Sequence, residues 1–173
     1  MLRKVGSLAL LPAAALLFTV PLPRPARAAN PAAVEAEIIR LTNVERRKVG
    51  APPLRANPVI TGVAERYAVL MTKFTPEQML GDNGTAGHHL DGLDVGERLT
   101  NAGYGPGPGG GFYSAENIAW NFPTADAVVQ FWVHHPGHRE NLLDPNVTEI
   151  GVGVAFTPQG EIRYDQVFAR PRP

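Results

Sequence analysis

The stretch that decides the fold runs from Glu149 to Phe168: Glu149-Ile150-Gly151-Val152-Gly153-Val154-Ala155-Phe156, then Thr157-Pro158-Gln159-Gly160, then Glu161-Ile162-Arg163-Tyr164-Asp165-Gln166-Val167-Phe168. Ile150, Val152, Val154 and Phe156 alternate with small residues, which is the two-residue period of a strand. Thr157 to Gly160 supplies the turn, and Ile162, Tyr164 and Phe168 return. The C-terminal end therefore reads as an antiparallel hairpin.

Upstream, the period changes to that of helices. Asn30 caps and Pro31 opens a first helix with Val34, Ile38, Leu41 and Val44 at steps of three or four residues, and Gly50 ends it. After the extended Pro52-Pro53-Leu54, Asn57-Pro58 starts a second helix with Val59, Ile60, Val63, Tyr67 and Leu70 on one face. A short third helix spans about Asp94 to Ala102 with Leu99 inward and Gly103 as its stop. Thr124 caps a fourth that carries Ala127, Val128, Phe131 and Trp132 toward the core. The glycine- and proline-rich run from Gly103 to Gly111 has no Lys or Arg and no Gly-Lys-Ser/Thr ending, so it is a surface loop and not a phosphate cradle. Helices before and between strands, closed by a hairpin, predict an α+β sandwich around an antiparallel sheet.

The first 28 residues are a different material. Arg3, Lys4, Arg24 and Arg27 flank an uncharged, mostly apolar run from Val5 to Pro23, and Ala26-Arg27-Ala28 offers small residues for cleavage. That layout predicts a secretory signal peptide over residues 1–28 and a single domain over 29–173. The competing reading is an uncleaved anchor, against which stand Pro12, Pro21 and Pro23. The whole chain of 173 residues has 16 basic and 16 acidic side chains. Without the four bases of the leader, 12 remain against 16 acids, so the exported domain is mildly acidic, near −4. Neutral to acidic balance argues against nucleic acid as a partner, and 44% hydrophobic residues argue against disorder. Zero cysteines exclude thiol catalysis, disulfides and thiolate metal sites. The domain must be held by core burial alone.

Nucleophiles are nearly absent beyond the leader. Ser114 is the one serine there, and it lies in Tyr113-Ser114-Ala115-Glu116, not in a Gly-x-Ser-x-Gly elbow. All five histidines fall in two clusters, His88-His89 and His134-His135-x-x-His138, with Glu116 between them in sequence. Clustered imidazoles beside a carboxylate are what a zinc-like divalent cation site or an acid–base pair requires. His88, His89, Glu116, His135 and His138 are the candidate ligands, and Glu116 the candidate general base. The structural alternatives are histidines ending a helix or lying in a loop, and Glu116 with His138 as a buried pair joining helix to sheet. If Pro136 opens a short helix through Leu143, His138 falls in its first turn, where the positive dipole end favours a neutral imidazole.

Four ordered motifs carry a resemblance: Ala115-Glu116-Asn117-Ile118-Ala119-Trp120, Phe131-Trp132, Pro136-Gly137-His138-Arg139-Glu140-Asn141-Leu142-Leu143 and Glu149-Ile150-Gly151-Val152-Gly153-Val154. With Leu41-Thr42-Asn43-Val44-Glu45-Arg46-Arg47 upstream, the chain from about Ile38 to Phe168 resembles the bacterial branch of the CAP superfamily, the SCP-like extracellular proteins. This resemblance implies a three-layer α-β-α sandwich with a central antiparallel sheet, a secreted or cell-envelope location, and a cleft lined by two histidines and two acids. One histidine matches His138, one acid matches Glu116, and the other histidine is His88 or His89, with His88 preferred by its spacing to Asp91-Gly92. Three residues after Trp132, where animal and plant relatives place the second acid, stands His135. The functions this implies are a binding module for a divalent cation or small ligand, a metal-assisted hydrolase of peptide, ester or cell-wall material, or a sterol or lipid carrier. The partners it implies are a small ligand, a lipid or a cell-envelope component, with no stable membrane insertion after signal cleavage.

Overall fold

The computed structural model describes residues 30–82, 84–105 and 111–171. The expected signal peptide and most of the glycine-rich loop lie outside the described residues. Along the chain come α1 (Pro31–Lys48), β1 (Arg55–Ala56), α2 (Pro58–Met71), α3 (Pro76–Leu80), a 3-10 turn (Ala86–His88), α4 (Val95–Asn101), β2 (Phe112–Trp120), α5 (Ala125–His134), α6 (Pro136–Leu143), β3 (Glu149–Phe156) and β4 (Ile162–Pro171). The predicted caps are present: Asn30, Asn57 and Thr124 each accept a backbone N–H of the following turn. Asp94 and Glu97 close a capping box on α4.

The sheet order is β1-β3-β4-β2. Glu149–Phe156 and Ile162–Phe168 pair antiparallel as the sequence predicts, and β2 extends the sheet antiparallel to β4, with Glu116 opposite Val167 and Ile118 opposite Asp165. Two residues of β1 add a parallel edge beside β3. The sequence pattern predicts no strand at Phe112–Trp120, because Glu116 and Asn117 put polar side chains on both faces and break the alternation. It also predicts no helix at Pro76–Leu80.

Helices cover both faces. Ile38, Val128, Trp132, Leu142, Ile150, Val152, Tyr164 and Phe168 fill the layer under α1, α5 and α6. On the other face Ile60, Val63, Leu99 and Val167, with Tyr67, Met71, Met79 and Ile118, fill the layer under α2, α3 and α4. The result is the α-β-α sandwich. Gly151 and Gly153 explain how closely α2 approaches: a Cβ on either would overlap the α2 backbone at Ile60–Thr61 or Ala64–Glu65. The glycines that alternate with valines in β3 are thus the seat of a helix. Val59, expected on the apolar face of α2, is exposed in its first turn.

The Leu41–Arg47 motif is structural. Thr42 Oγ1 accepts from Gln166 Nε2 at 2.9 Å, and Asn43 exchanges two hydrogen bonds with the backbone of Leu54. Arg46 is fully buried and donates to the carbonyls of Pro52, Leu142, Asp144 and Val147, tying α1 to the segment between α6 and β3. No described helix is long and apolar enough to cross a membrane.

Candidate functional site

β2 is the edge strand on which the site is built. Its period of two turns Glu116 toward the α2 and α4 layer and Asn117 toward α5 and α6. Asn117 Nδ2 donates to the His138 carbonyl and to Gln166 Oε1, both at 3.1 Å. Asn141 Nδ2 donates in turn to Asn117 Oδ1 at 3.0 Å and to the Glu116 carbonyl at 3.1 Å. These bonds seat α6 against the edge of β2 and bring His138 to the cleft. The predicted helix from Pro136 to Leu143 exists, with His138 in its first turn.

His88 approaches from the opposite side. Tyr67 Oη donates to the Gly87 carbonyl at 2.6 Å and accepts from the Leu90 N–H, which holds the 3-10 turn in place. His88 Nδ1 then donates to Glu116 Oε2 at 2.7 Å. Glu116 Oε1 accepts from Arg98 Nη2 at 2.5 Å. Arg98 also donates through Nη1 to Asp91 Oδ1 and to the carbonyls of His88 and Leu93, and its guanidinium lies 3.7 Å over the Tyr67 ring. Burial opposes its charge, but Glu116, Tyr67 and Asp165 hold it further toward the protonated form.

The cleft between these elements has a volume of about 350 Å3. Ile118, Trp120, Phe122 and Phe131 form its apolar wall; His88, His135 and His138 form its polar side. Phe131 packs against Phe122 and against both His135 and His138, and the two imidazole centres lie 4.5 Å apart. Burial first, then the neighbouring His135 and His88, pushes the His138 pKa down from 6.5 to about 4. His138 is therefore a neutral imidazole at physiological pH, and its buried Nδ1 has no hydrogen-bond partner.

Of the five sequence candidates, His88, Glu116, His135 and His138 come together. His89 points away, exposed, with Nδ1 donating to the Leu93 carbonyl at 3.3 Å. His134 lies outside the cleft, in an open groove near Tyr113, Arg139 and Asp144. Trp132 is fully buried core, as its helical spacing predicts, and donates to the Ile118 carbonyl, whereas Trp120 and Phe131 line the cleft. Glu116 and His138 are not bonded to each other through their side chains. They are joined through Asn117 and Asn141.

Residues that sequence reasoning does not single out are Arg98, Tyr67 and Asp165. Arg98 sits one residue past the capping box that fixes α4, but its partner Glu116 is 18 residues away. Asp165 is legible only as a charged residue inside an apolar strand.

The donor set bears on the divalent cation expected from the histidine clusters. Both Glu116 oxygens are engaged by His88 and Arg98, and His89 faces away. Among the described residues no group of three His, Asp or Glu side chains stands ready to hold a metal ion.

The sequence matches the family CAP, described as the cysteine-rich secretory protein family, over residues 39–168. The chain belongs to the CAP family. A Bacillus subtilis relative, the uncharacterized protein YkwD, is 32% identical over 139 residues, which are 80% of this chain and 48% of that protein. The CAP chain thus spans about half the length of this relative. Among solved structures, an extracellular SCP-domain protein from Bacillus anthracis is 27% identical with a TM-score of 0.58, over 81% of this chain and 41% of that one. An outer surface protein from Borrelia burgdorferi shares the fold at 21% identity and a TM-score of 0.61, over 78% of this chain and 90% of its own. In this CAP domain the polar residue three places after the α5 tryptophan is an imidazole, stacked on His138.

Proposed function

We propose that this CAP domain is a binding module working outside the cytoplasm, whose cleft takes a small ligand with an apolar body and a hydrogen-bonding head. The observation that carries this is the two-sided lining of the cleft: aromatic and aliphatic groups on one wall, neutral His138 with His88 and His135 on the other. An apolar cavity with a few convergent polar groups fixes a ligand's position by burial and its orientation by hydrogen bonds. His88 is held by Glu116 at Nδ1, so Nε2 is left for the ligand. The export reading rests on the composition of residues 1–28 and on relatives described as extracellular or outer-surface proteins.

The test is titration of the purified protein with a dansylated fatty acid, followed by dansyl fluorescence. Saturable binding that weakens roughly tenfold or more in Phe131→Ala supports the reading, since burying an aromatic side chain contributes about 1.5–3 kcal/mol. Equal binding by wild type and variant overturns it. Zinc is titrated in parallel by calorimetry. Zinc binding lost in His88→Ala and His138→Ala, with no uptake of the fatty acid, would replace the organic ligand by a cation held on imidazoles.

A further inference from the structure

Phe122 stands at the boundary of two cavities. On one side it belongs to the apolar wall of the cleft; on the other it lines an open groove of about 350 Å3 between residues 121–123 and the hairpin turn at residues 159–162. The ring contacts set an order along the wall. His135 and His138 lie against Phe131, with ring centres 5.7 and 5.5 Å away, and Phe131 in turn lies 4.7 Å from Phe122. Among the described residues Phe122 stacks on Phe131 and on neither imidazole. A ligand that sets its polar head on the imidazoles therefore lays its body over Phe131 and ends at Phe122.

The chain reaches Phe122 through an uncommon backbone turn. Asn121, directly after β2, has a φ of +61° and is the only non-glycine residue at positive φ among the described residues. Asparagine tolerates the left-handed region better than most side chains, but a residue stays there only where its surroundings hold it. Here its N–H donates to the Ile162 carbonyl at 2.9 Å, its Nδ2 donates to Glu161 Oε1, and its Oδ1 accepts from Arg163 Nη1, the last two at 3.2 Å. Arg163 is fully buried and also donates to the Met71 and Phe74 carbonyls, which anchors the turn to the end of α2. Past the turn, the Phe122 carbonyl accepts from Tyr164 Oη at 2.7 Å. The backbone of Phe122 is thus pinned from both sides while its ring packs against the core. Such a ring is a fixed stop.

We propose that Phe122 is the specificity-determining residue of the cleft: the end wall that limits the apolar body of the ligand, so that the cleft selects amphiphiles by chain length. The inference rests on the cleft taking a ligand with an apolar body and a polar head. Each methylene laid on the apolar wall strengthens binding by about fourfold, and one that overruns the wall meets Phe122 and adds nothing. Removing the ring opens the way to the groove beyond, where Pro123 and Ile162 offer further apolar contact.

The experiment is displacement of the dansylated fatty acid from the purified protein by unlabelled straight-chain acids from hexanoate to hexadecanoate. In the wild type, affinity should rise by about fourfold per added methylene and then level off at one chain length. Phe122→Ala should move that break to longer chains. Phe122→Trp, whose larger ring reaches further into the cleft, should move it to shorter ones. A series without a break, a break at the same length in wild type and variants, or equal weakening at every length overturns the proposal; the last is what a merely structural side chain would give. If Phe131→Ala weakens binding in the same assay, these outcomes leave the cleft reading standing. No saturable binding by the wild type, or equal binding by Phe131→Ala, overturns the cleft reading and this proposal together. The two variants shift the break in opposite directions, so either one decides the matter if the other fails to fold.

Discussion

Arg98 Nη2 meets Glu116 Oε1 at 2.5 Å with side-chain exposures of 7% and 3%, an ion pair almost wholly removed from water. Removing one member of such a pair leaves a buried charge without its counterpart, which costs more than the pair contributes. Glu116→Gln and Arg98→Met should each destabilise the protein by about 3 kcal/mol or more in urea denaturation. The double variant should lose less than the two combined, with a coupling of about 1–3 kcal/mol. Strict additivity would show that the contact contributes nothing of its own.

His138 should report its surroundings through pH. Its folded pKa of about 4 lies below the ordinary 6.5, so the unfolded chain takes up the proton first as the solution is acidified. The stability it contributes is fully present above about pH 6.5 and is lost as pH falls toward 4. His138→Gln should remove that part of the acid-side slope. In NMR, the His138 ring signals should titrate well below the ordinary 6.5; a midpoint near 6.5 would contradict its enclosure.

The two tryptophans should separate core from cleft. Trp132 has no exposure and donates to the Ile118 carbonyl, so Trp132→Ala should cost about 3–5 kcal/mol. Trp120 is half-buried on the cleft wall, and Trp120→Ala should cost less stability while weakening dansylated fatty acid binding. Thermal melts and the fluorescence titration together check the contrast; similar stability losses would remove it.

Gly153→Ala should be poorly tolerated although it adds one methyl group. The new Cβ would enter the backbone of α2 at Ala64–Glu65, which cannot yield as a flexible side chain can. A loss of about 1–3 kcal/mol or more is expected in guanidinium denaturation. Gly160→Ala, in the turn between β3 and β4, makes a control: no atom crowds its Cβ, and only its φ of +85° opposes the change. If Gly153→Ala costs no more than Gly160→Ala, α2 is not seated as closely on the sheet as described.

Much of the fold is legible in the sequence because its signals are local. Asn30, Asn57, Asp94 and Thr124 cap within three residues of themselves, and the alternation from Ile150 to Phe156 spans a single strand. Glu116 and His138 are legible through the motifs that surround them. Sequence alone leaves His88 and His89 undecided, since adjacent residues share composition and differ in direction. Only the 3-10 turn, pinned by Tyr67, aims His88 at Glu116 and turns His89 outward.

What the sequence by itself determined is therefore the capped helices and the C-terminal hairpin, the histidine clusters, and the lack of cysteine. Tertiary structure alone decided which charges meet. Arg98 and Glu116 come from separated elements, and their burial and pairing depend on a shared low-dielectric space that no short window of sequence encodes. The same holds for β2. Its polar Glu116 and Asn117 hide a strand from periodicity, and pairing with β4 beneath helices on both faces makes it the floor of the site.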